Sequence, residues 1–272
     1  MPAIQMVCSD IDGTILNSRH QASQRTRTAI LRAAQQVPFV LVSARSPKGV
    51  GAVADMLGLS HQPMICFSGA LLVYRGRLER LASLDVGASA KVVQLCRALG
   101  VHLSVYEGER WFCERFDLWA KQEADIVGFQ PELHAFAPLA AQWRARQAGP
   151  DKLLCMAPPA QLDQLTIWLK ACPEANLMAI SRSKDTYLEI GARGVSKPMA
   201  IDALARRMGI DRQSILAIGD HYNDIEMLRY AGIGVAMGQA PDPVKRAADA
   251  ITLTQDEDGA ALAIERYLRE EK

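Results

Sequence analysis

Short, wholly apolar runs alternate with amphipathic stretches at the start of this chain. Met6-Val7-Cys8 is the first such run, and it reads as a strand buried on both faces. Ser23 is a good N-cap for a helix over 24–36, where Ala29, Ile30, Ala33 and Ala34 form one stripe. Val37–Val42 is the second apolar run, and a helix over about 48–57 follows, stopped by Gly58. Met64-Ile65-Cys66-Phe67 is the third. Strands alternating with helices in this way predict an α/β fold, a doubly wound, Rossmann-like parallel sheet. Such sheets gather ligands at the carboxyl ends of their strands. The three polar tips at those ends are Asp10-Ile11-Asp12-Gly13-Thr14, Ser43-Ala44-Arg45 and Ser68-Gly69-Ala70.

From Leu84 the pattern changes. A small hairpin (71–73 and 78–81) leads into an amphipathic helix over 88–99 closed by Gly100, then paired strands at 102–106 and 111–113. A strand at 153–156, a helix from Pro158-Pro159 to about Ala171, and strands at 177–180 and 187–190 complete a separate α+β piece, assigned to 84–188. Trp111, Trp119, Trp143 and Trp168 all fall inside it and read as core. The first pattern then resumes: a helix from Lys197-Pro198 to Met208, and a strand at 214–218 tipped by Gly219-Asp220-His221-Tyr222-Asn223-Asp224. A helix to Tyr230, strands at 233–237 and 250–254, and a closing helix from Gly259 follow. One α/β domain (1–83 and 189–272) is therefore split by an insertion, and no internal repeat or low-complexity segment is present.

With 272 residues, of which 49% are hydrophobic, the chain is comfortable for two domains. A net charge of +1 gives no reason to expect a nucleic-acid or membrane partner. The six cysteines show no C-x-x-C pair or zinc spacing, which suits a reduced cytoplasmic protein. Nothing in Met1-Pro-Ala-Ile-Gln resembles a signal peptide, and no apolar run is long enough to cross a bilayer. The expected partner is a small molecule, and the chain a monomer or homodimer.

Asp10 and Asp12 carry the most pointed chemistry. Residues i and i+2 of an extended chain share a face, so both carboxylates can address one spot. They repel unless a cation sits between them or one keeps its proton, and an all-oxygen site suits Mg2+. Gly13 permits the sharp turn.

Taken together, Asp10-x-Asp12-Gly13-Thr14, Ser43, Lys197 and Gly219-Asp220-x-x-Asn223-Asp224 resemble the four motifs of the haloacid dehalogenase (HAD) superfamily of phosphohydrolases. Gly194-Val195-Ser196-Lys197, Gly234-Val235-Ala236-Met237-Gly238 and Asp256-Glu257-Asp258-Gly259 are similar to the Cof-like branch, which inserts a type IIB α+β cap between the second and third motifs. The resemblance implies a HAD core with an inserted cap domain that lids the strand ends. It implies that Asp10 is the nucleophile, forming an aspartyl-phosphate, and that Asp12 protonates the leaving oxygen and then activates water. It implies Mg2+ held by Asp10, the carbonyl of Asp12 and Asp220. Ser43 and Lys197 would bind phosphoryl oxygens, with Lys197 also restraining Asp10, and backbone N–H groups of Ile11, Asp12 and Ala44 would complete the cradle. Asn223 would hold phosphate or Ser43, Asp224 would orient metal-bound water or Lys197, and Gly69 would support the site.

The chain departs from the branch at Ser43-Ala44-Arg45, where Thr-Gly-Arg is usual, and at Ser68-Gly69, where Asn-Gly is usual. Pro198 and Gln239 replace a glycine and an asparagine. Each residue also has a plainer reading. Ser43 could cap the next helix, Lys197 could be solvated, Asp220 and Asp224 could complement a helix N-terminus, and Arg45 could form a structural ion pair or touch substrate. Glu107, Arg110, Arg182, Lys184 and Asp185 are the polar candidates of the insertion. The expected activity is Mg2+-dependent hydrolysis of small phosphorylated metabolites, sugar phosphates or phosphorylated cofactors. The alternatives are a phosphomutase using the same intermediate and a non-enzymatic phosphate-dependent switch.

Overall fold

A computed structural model describes residues 3–268. The chain up to Glu79 and the chain from Ser196 onward form one compact unit, and Arg80–Val195 forms a second.

The first unit opens with β1 (Met6–Ser9), α1 (Gln24–Gln36), β2 (Phe39–Val42), α2 (Pro47–Leu57), β3 (Met64–Cys66), β4 (Leu71–Tyr74) and β5 (Arg77–Arg80). Ser23 caps α1 by accepting a hydrogen bond from the Thr26 N–H at 3.0 Å. Ser46 caps α2 from the Gly49 N–H at 3.3 Å, so Ser43 is not spent on capping.

The second unit contains α3 (Val86–Leu99), β6 (His102–Glu107), β7 (Arg110–Cys113), α4 (Leu118–Val127), β8 (Glu132–Leu133) and α5 (Phe136–Arg146). It continues with β9 (Lys152–Met156), α6 (Pro159–Ala171), β10 (Met178–Lys184) and β11 (Tyr187–Ala192). Its sheet runs β10-β11-β9-β6-β7-β8 and is antiparallel except where β8 joins β7. A core of Val105, Phe112, Trp143, Leu153, Leu165 and Ile190 with their neighbours forms under α3, α5 and α6. Because β11 pairs with β9 and β10 out to Ala192, the unit runs past 188. Trp111 and Trp143 are buried, but Trp168 is 39% exposed, so it is not a core residue. Glu107 pairs with Arg146 at 2.9 Å, Arg110 with Glu132 at 2.5 Å, and Arg182 with Asp163.

The chain then returns to the first unit with α7 (Lys197–Met208), β12 (Ile215–Gly219), α8 (Ile225–Tyr230), β13 (Ile233–Ala236), α9 (Asp242–Lys245), β14 (Ala250–Ile251) and α10 (Gly259–Tyr267). The sheet of this unit is ordered β14-β13-β12-β1-β2-β3-β4-β5, with β14 through β3 parallel and β4 antiparallel to β3. From β1 the chain winds outward to β2 and β3, and from β12 it winds the opposite way to β13 and β14. Right-handed crossovers in opposite directions put helices on both faces. The order reverses between β1 and β12, which is where an open parallel sheet leaves a crevice at its carboxyl edge. The strands at that point, Met6–Ser9 and Ile215–Gly219, are buried along their whole length. All six cysteines are free thiols, and all but the half-buried Cys172 are buried. No described helix is long and apolar enough to cross a membrane.

Candidate active site

Four loops of the first unit converge at the carboxyl edge. The turn after β1 brings Asp10, the tip of β2 brings Ser43, the first turn of α7 brings Lys197, and the loop after β12 brings Asp220 and Asp224. Asp10 Oδ1 accepts a hydrogen bond from Lys197 Nζ at 2.5 Å, and Asp224 Oδ1 accepts from the same ammonium at 2.6 Å. Lys197 is 2% exposed, so its position at a helix start is not a solvated one. Ser196 caps that helix by accepting from the Met199 N–H, which turns the first helical residue inward.

Asp224 is committed to structure. Its Oδ2 accepts from the N–H groups of Asp220 and His221, each at 3.0 Å, while Oδ1 holds Lys197. Asp220 Oδ1 accepts from the Thr14 hydroxyl at 3.1 Å. That leaves Asp10 Oδ2 and Asp220 Oδ2 with no hydrogen-bond donor among the described residues. The turn between them needs glycine: Gly13 has φ +79°, and a Cβ there would lie 2.2 Å from Asp220 Oδ2.

The electrostatics explain what these oxygens require. Three carboxylates face one buried ammonium, so negative charge is in excess. Lys197 is held charged against the cost of burial by Asp10 and Asp224. Burial pushes the Asp10 carboxyl well up, Lys197 opposes that, and the charges of Asp224 and Asp220 add to it. Burial and the Asp224 charge push Asp220 up to about 6, against the Thr14 hydrogen bond. Oxygens of Asp10, Asp220 and Asp224 lie within 4.8 Å of one another. An all-carboxylate donor set carrying surplus charge fits a hard divalent cation such as Mg2+, with Asp220 offering its open oxygen and Asp10 the second carboxylate.

Asp12 sits apart from this cluster. Arg45 grips it with both arms, Nε donating to Oδ2 at 2.8 Å and Nη2 to Oδ1 at 2.5 Å. Its side chain is 45% exposed, against 10% for Asp10. The sequence left Arg45 between a structural ion pair and a substrate contact, and the structure places it on Asp12. Ser43 is buried, and its Oγ accepts from the Arg45 N–H at 3.2 Å. Ala44 follows it at the strand tip. Ile11 is buried, and its N–H has no acceptor among the described residues.

Asn223 is exposed, and no hydrogen bond joins it to Ser43. It lies in a single 3-10 turn, Tyr222–Asp224, whose geometry is set by Asp224. Two residues absent from the expected set also belong here. Thr14 orients Asp220, and Gln239 donates to the Gly13 carbonyl at 2.5 Å while accepting from the Gln255 N–H at 3.1 Å. Thr14 was legible as part of the first motif. The longer reach of Gln239, where the branch has asparagine, was the signal for the second.

Comparison with known proteins agrees with this geometry. The family model for haloacid dehalogenase-like hydrolases matches residues 7–264. A curated Haemophilus influenzae protein with a provisional phosphatase name is 31% identical over 97% of this chain and 98% of its own. The crystal structure of a haloacid dehalogenase-like hydrolase from Bacteroides thetaiotaomicron superposes with TM-score 0.86 at 28% identity, covering 97% of this chain and 99% of that one. A structure described as a HAD subclass IIB sugar phosphatase superposes with TM-score 0.79 at 25% identity, covering 97% and 98%. With the acidic cluster, the buried lysine and a family match over nearly the whole length all in agreement, this chain belongs to the haloacid dehalogenase-like hydrolases and is a phosphatase of the Cof-like, subclass IIB kind.

Proposed function

We propose that the protein hydrolyses small phosphorylated metabolites, sugar phosphates among them, with Mg2+ bound and through an aspartyl-phosphate on Asp10. The observation that carries this reading is the division of labour among the oxygens. Asp10 keeps one oxygen on Lys197 and the other open, Asp220 keeps one open, and Asp12 stands outside the cluster. The sugar phosphatase among the similar structures supports the substrate class.

The residues divide the reaction among themselves. Asp10 Oδ2 attacks phosphorus while Lys197 holds Oδ1 and so orients the carboxylate. Ser43 and the Ile11 N–H donate toward the phosphoryl oxygens, and Lys197 adds a point charge. Asp12 delivers a proton to the leaving alcohol and later takes one from the attacking water, which requires one oxygen to be released from Arg45. Asp10, Asp220 and the Asp12 carbonyl would hold Mg2+, whose charge lets a carboxylate approach a dianion. Asp224 acts indirectly, by fixing Lys197 and the backbone of Asp220.

The direct test is release of inorganic phosphate from a panel of phosphomonoesters with Mg2+ present and with it chelated. Turnover that needs the cation and shows no exchange of phosphoryl between substrate positions is expected. Phosphoryl exchange would favour a phosphomutase, and binding without turnover a switch.

A second prediction concerns pH. The Asp220 carboxyl is raised to about 6 in the cation-free protein, so below that pH a proton must leave before a cation can bind. Mg2+ affinity measured by calorimetry should therefore rise with pH below that value, by roughly tenfold per pH unit for the one proton displaced, and level off above it. A flat affinity between pH 5 and 7 would remove Asp220 from the cation site.

A further inference from the structure

The tip of β3 is the most strained backbone at the carboxyl edge. Phe67 (φ +48°), Ser68 (φ +55°) and Gly69 (φ +115°) follow one another in the positive-φ region. Phe67 and Ser68 are the sole adjacent pair of non-glycine residues there among the described residues. Two side-chain-bearing residues do not hold such a conformation without being over-determined by their surroundings, and such strain collects at functional positions.

The surroundings supply that constraint. The Phe67 N–H donates to the Arg45 carbonyl at 3.0 Å, and the Ser68 N–H donates to the Ser43 carbonyl at 2.9 Å. On the other side, a Cβ on Gly69 would lie 2.3 Å from the Ser196 carbonyl oxygen, so the turn is seated against the residue that caps the Lys197 helix. The turn is thus pinned to the second and third polar tips at once. The Phe67 and Ser68 N–H groups are both used, yet the half-buried Ser68 hydroxyl makes no hydrogen bond among the described residues. Nothing in the fold explains a hydroxyl held there.

Its place in the sheet limits what it can touch. β3 is two strands from β1, and adjacent strands lie about 4.8 Å apart, so Ser68 stands roughly 10 Å from the strand that carries the nucleophile. β2, with Ser43 at its tip, lies between, so Ser68 borders the phosphoryl site from the next strand out, where it can meet the alcohol attached to the phosphoryl group. We propose that Ser68 is a specificity-determining residue whose hydroxyl hydrogen-bonds to the alcohol portion of the ester, favouring leaving groups that carry hydroxyls, as polyol and sugar phosphates do. The proposal rests on the phosphatase reading above.

Ser68→Ala removes the hydroxyl and keeps a Cβ in the strained conformation, while Ser68→Gly removes both. The readout is kcat/KM for glucose 6-phosphate, ribose 5-phosphate and glycerol 1-phosphate, each divided by kcat/KM for p-nitrophenyl phosphate, which has no hydroxyl. Loss of one such hydrogen bond should lower the ratio about fivefold to tenfold for the hydroxylated ester the enzyme prefers, equally in both variants. Ser68→Asn, which restores a polar group and tolerates the left-handed backbone, should recover the ratio to within about threefold. Ratios within twofold of the parent in both variants would overturn the proposal. So would a fall in only one of the two variants, since both lack the hydroxyl. A parent enzyme that cleaves p-nitrophenyl phosphate but none of the hydroxylated esters would overturn it while leaving the phosphatase reading standing. A parent that cleaves nothing would end both.

Discussion

Asp10→Asn should abolish hydrolysis of p-nitrophenyl phosphate in the presence of Mg2+, by on the order of 10⁴-fold or more, because a neutral amide cannot form the acyl phosphate. The loss should be in chemistry and not in folding. Lys197 keeps its second partner, Asp224, at 2.6 Å, so the ammonium is not left alone in the interior. Burial and two neighbouring carboxylates already oppose the charge of Asp10, so the neutral side chain relieves repulsion that the native cluster carries. A urea denaturation midpoint close to the parent's, alongside lost turnover, is the expected pair of results. Near-normal turnover would end the proposed mechanism.

Lys197→Met should show the opposite balance, with a large loss of stability as well as of activity. Lys197 is 2% exposed, its ammonium lies between two buried carboxylates, and methionine would fill its space without its charge. Breaking a buried pair by removing one partner costs about 3–5 kcal/mol, since the remaining charges stay uncompensated. Chemical denaturation without Mg2+ should report that loss for the unit that carries the site. Adding Asp224→Asn to the same chain should return part of it, because the amide can still accept from the Asp220 and His221 N–H groups while removing one stranded charge. A single-variant loss below about 1 kcal/mol would show that the lysine does not hold the two carboxylates together.

Where the reading along the chain ran short, the cause lies in particular residues. The helix α4 has exposed Leu118 and Ile126, while its buried face is Ala120, Glu123 and Ala124. An apolar stripe cannot be seen when the inward residues are two alanines and a carboxylate. Glu123 is buried because the Tyr106 hydroxyl donates to it at 2.7 Å, a partner seventeen positions away. The helix α5 begins at Phe136 without a side-chain cap, and the strand β8 is only two residues long. In both places the local start signals are missing. The assignment of Trp168 to the core failed for a similar reason: residue type does not say which side of α6 faces inward, and that side carries Leu162, Leu165 and Leu169.

Local pattern was sufficient elsewhere. Apolar runs of strand length, helix-start residues such as Ser23 and Pro198, and glycines at helix ends established the order of elements. They also established that Asp10, Ser43, Lys197 and Asp220 each stand at the end of a strand or the start of a helix along one edge. Those signals act over a few neighbouring residues, so they can be read in one dimension. Which oxygen of each carboxylate stays open was decided by tertiary structure alone. The partners that settle it are distant in the chain: Thr14 for Asp220 across 206 positions, Lys197 for Asp10 across 187, and Arg45 for Asp12 across 33. A hydrogen bond is set by separation in space, and only the folded sheet brings those residues within its reach.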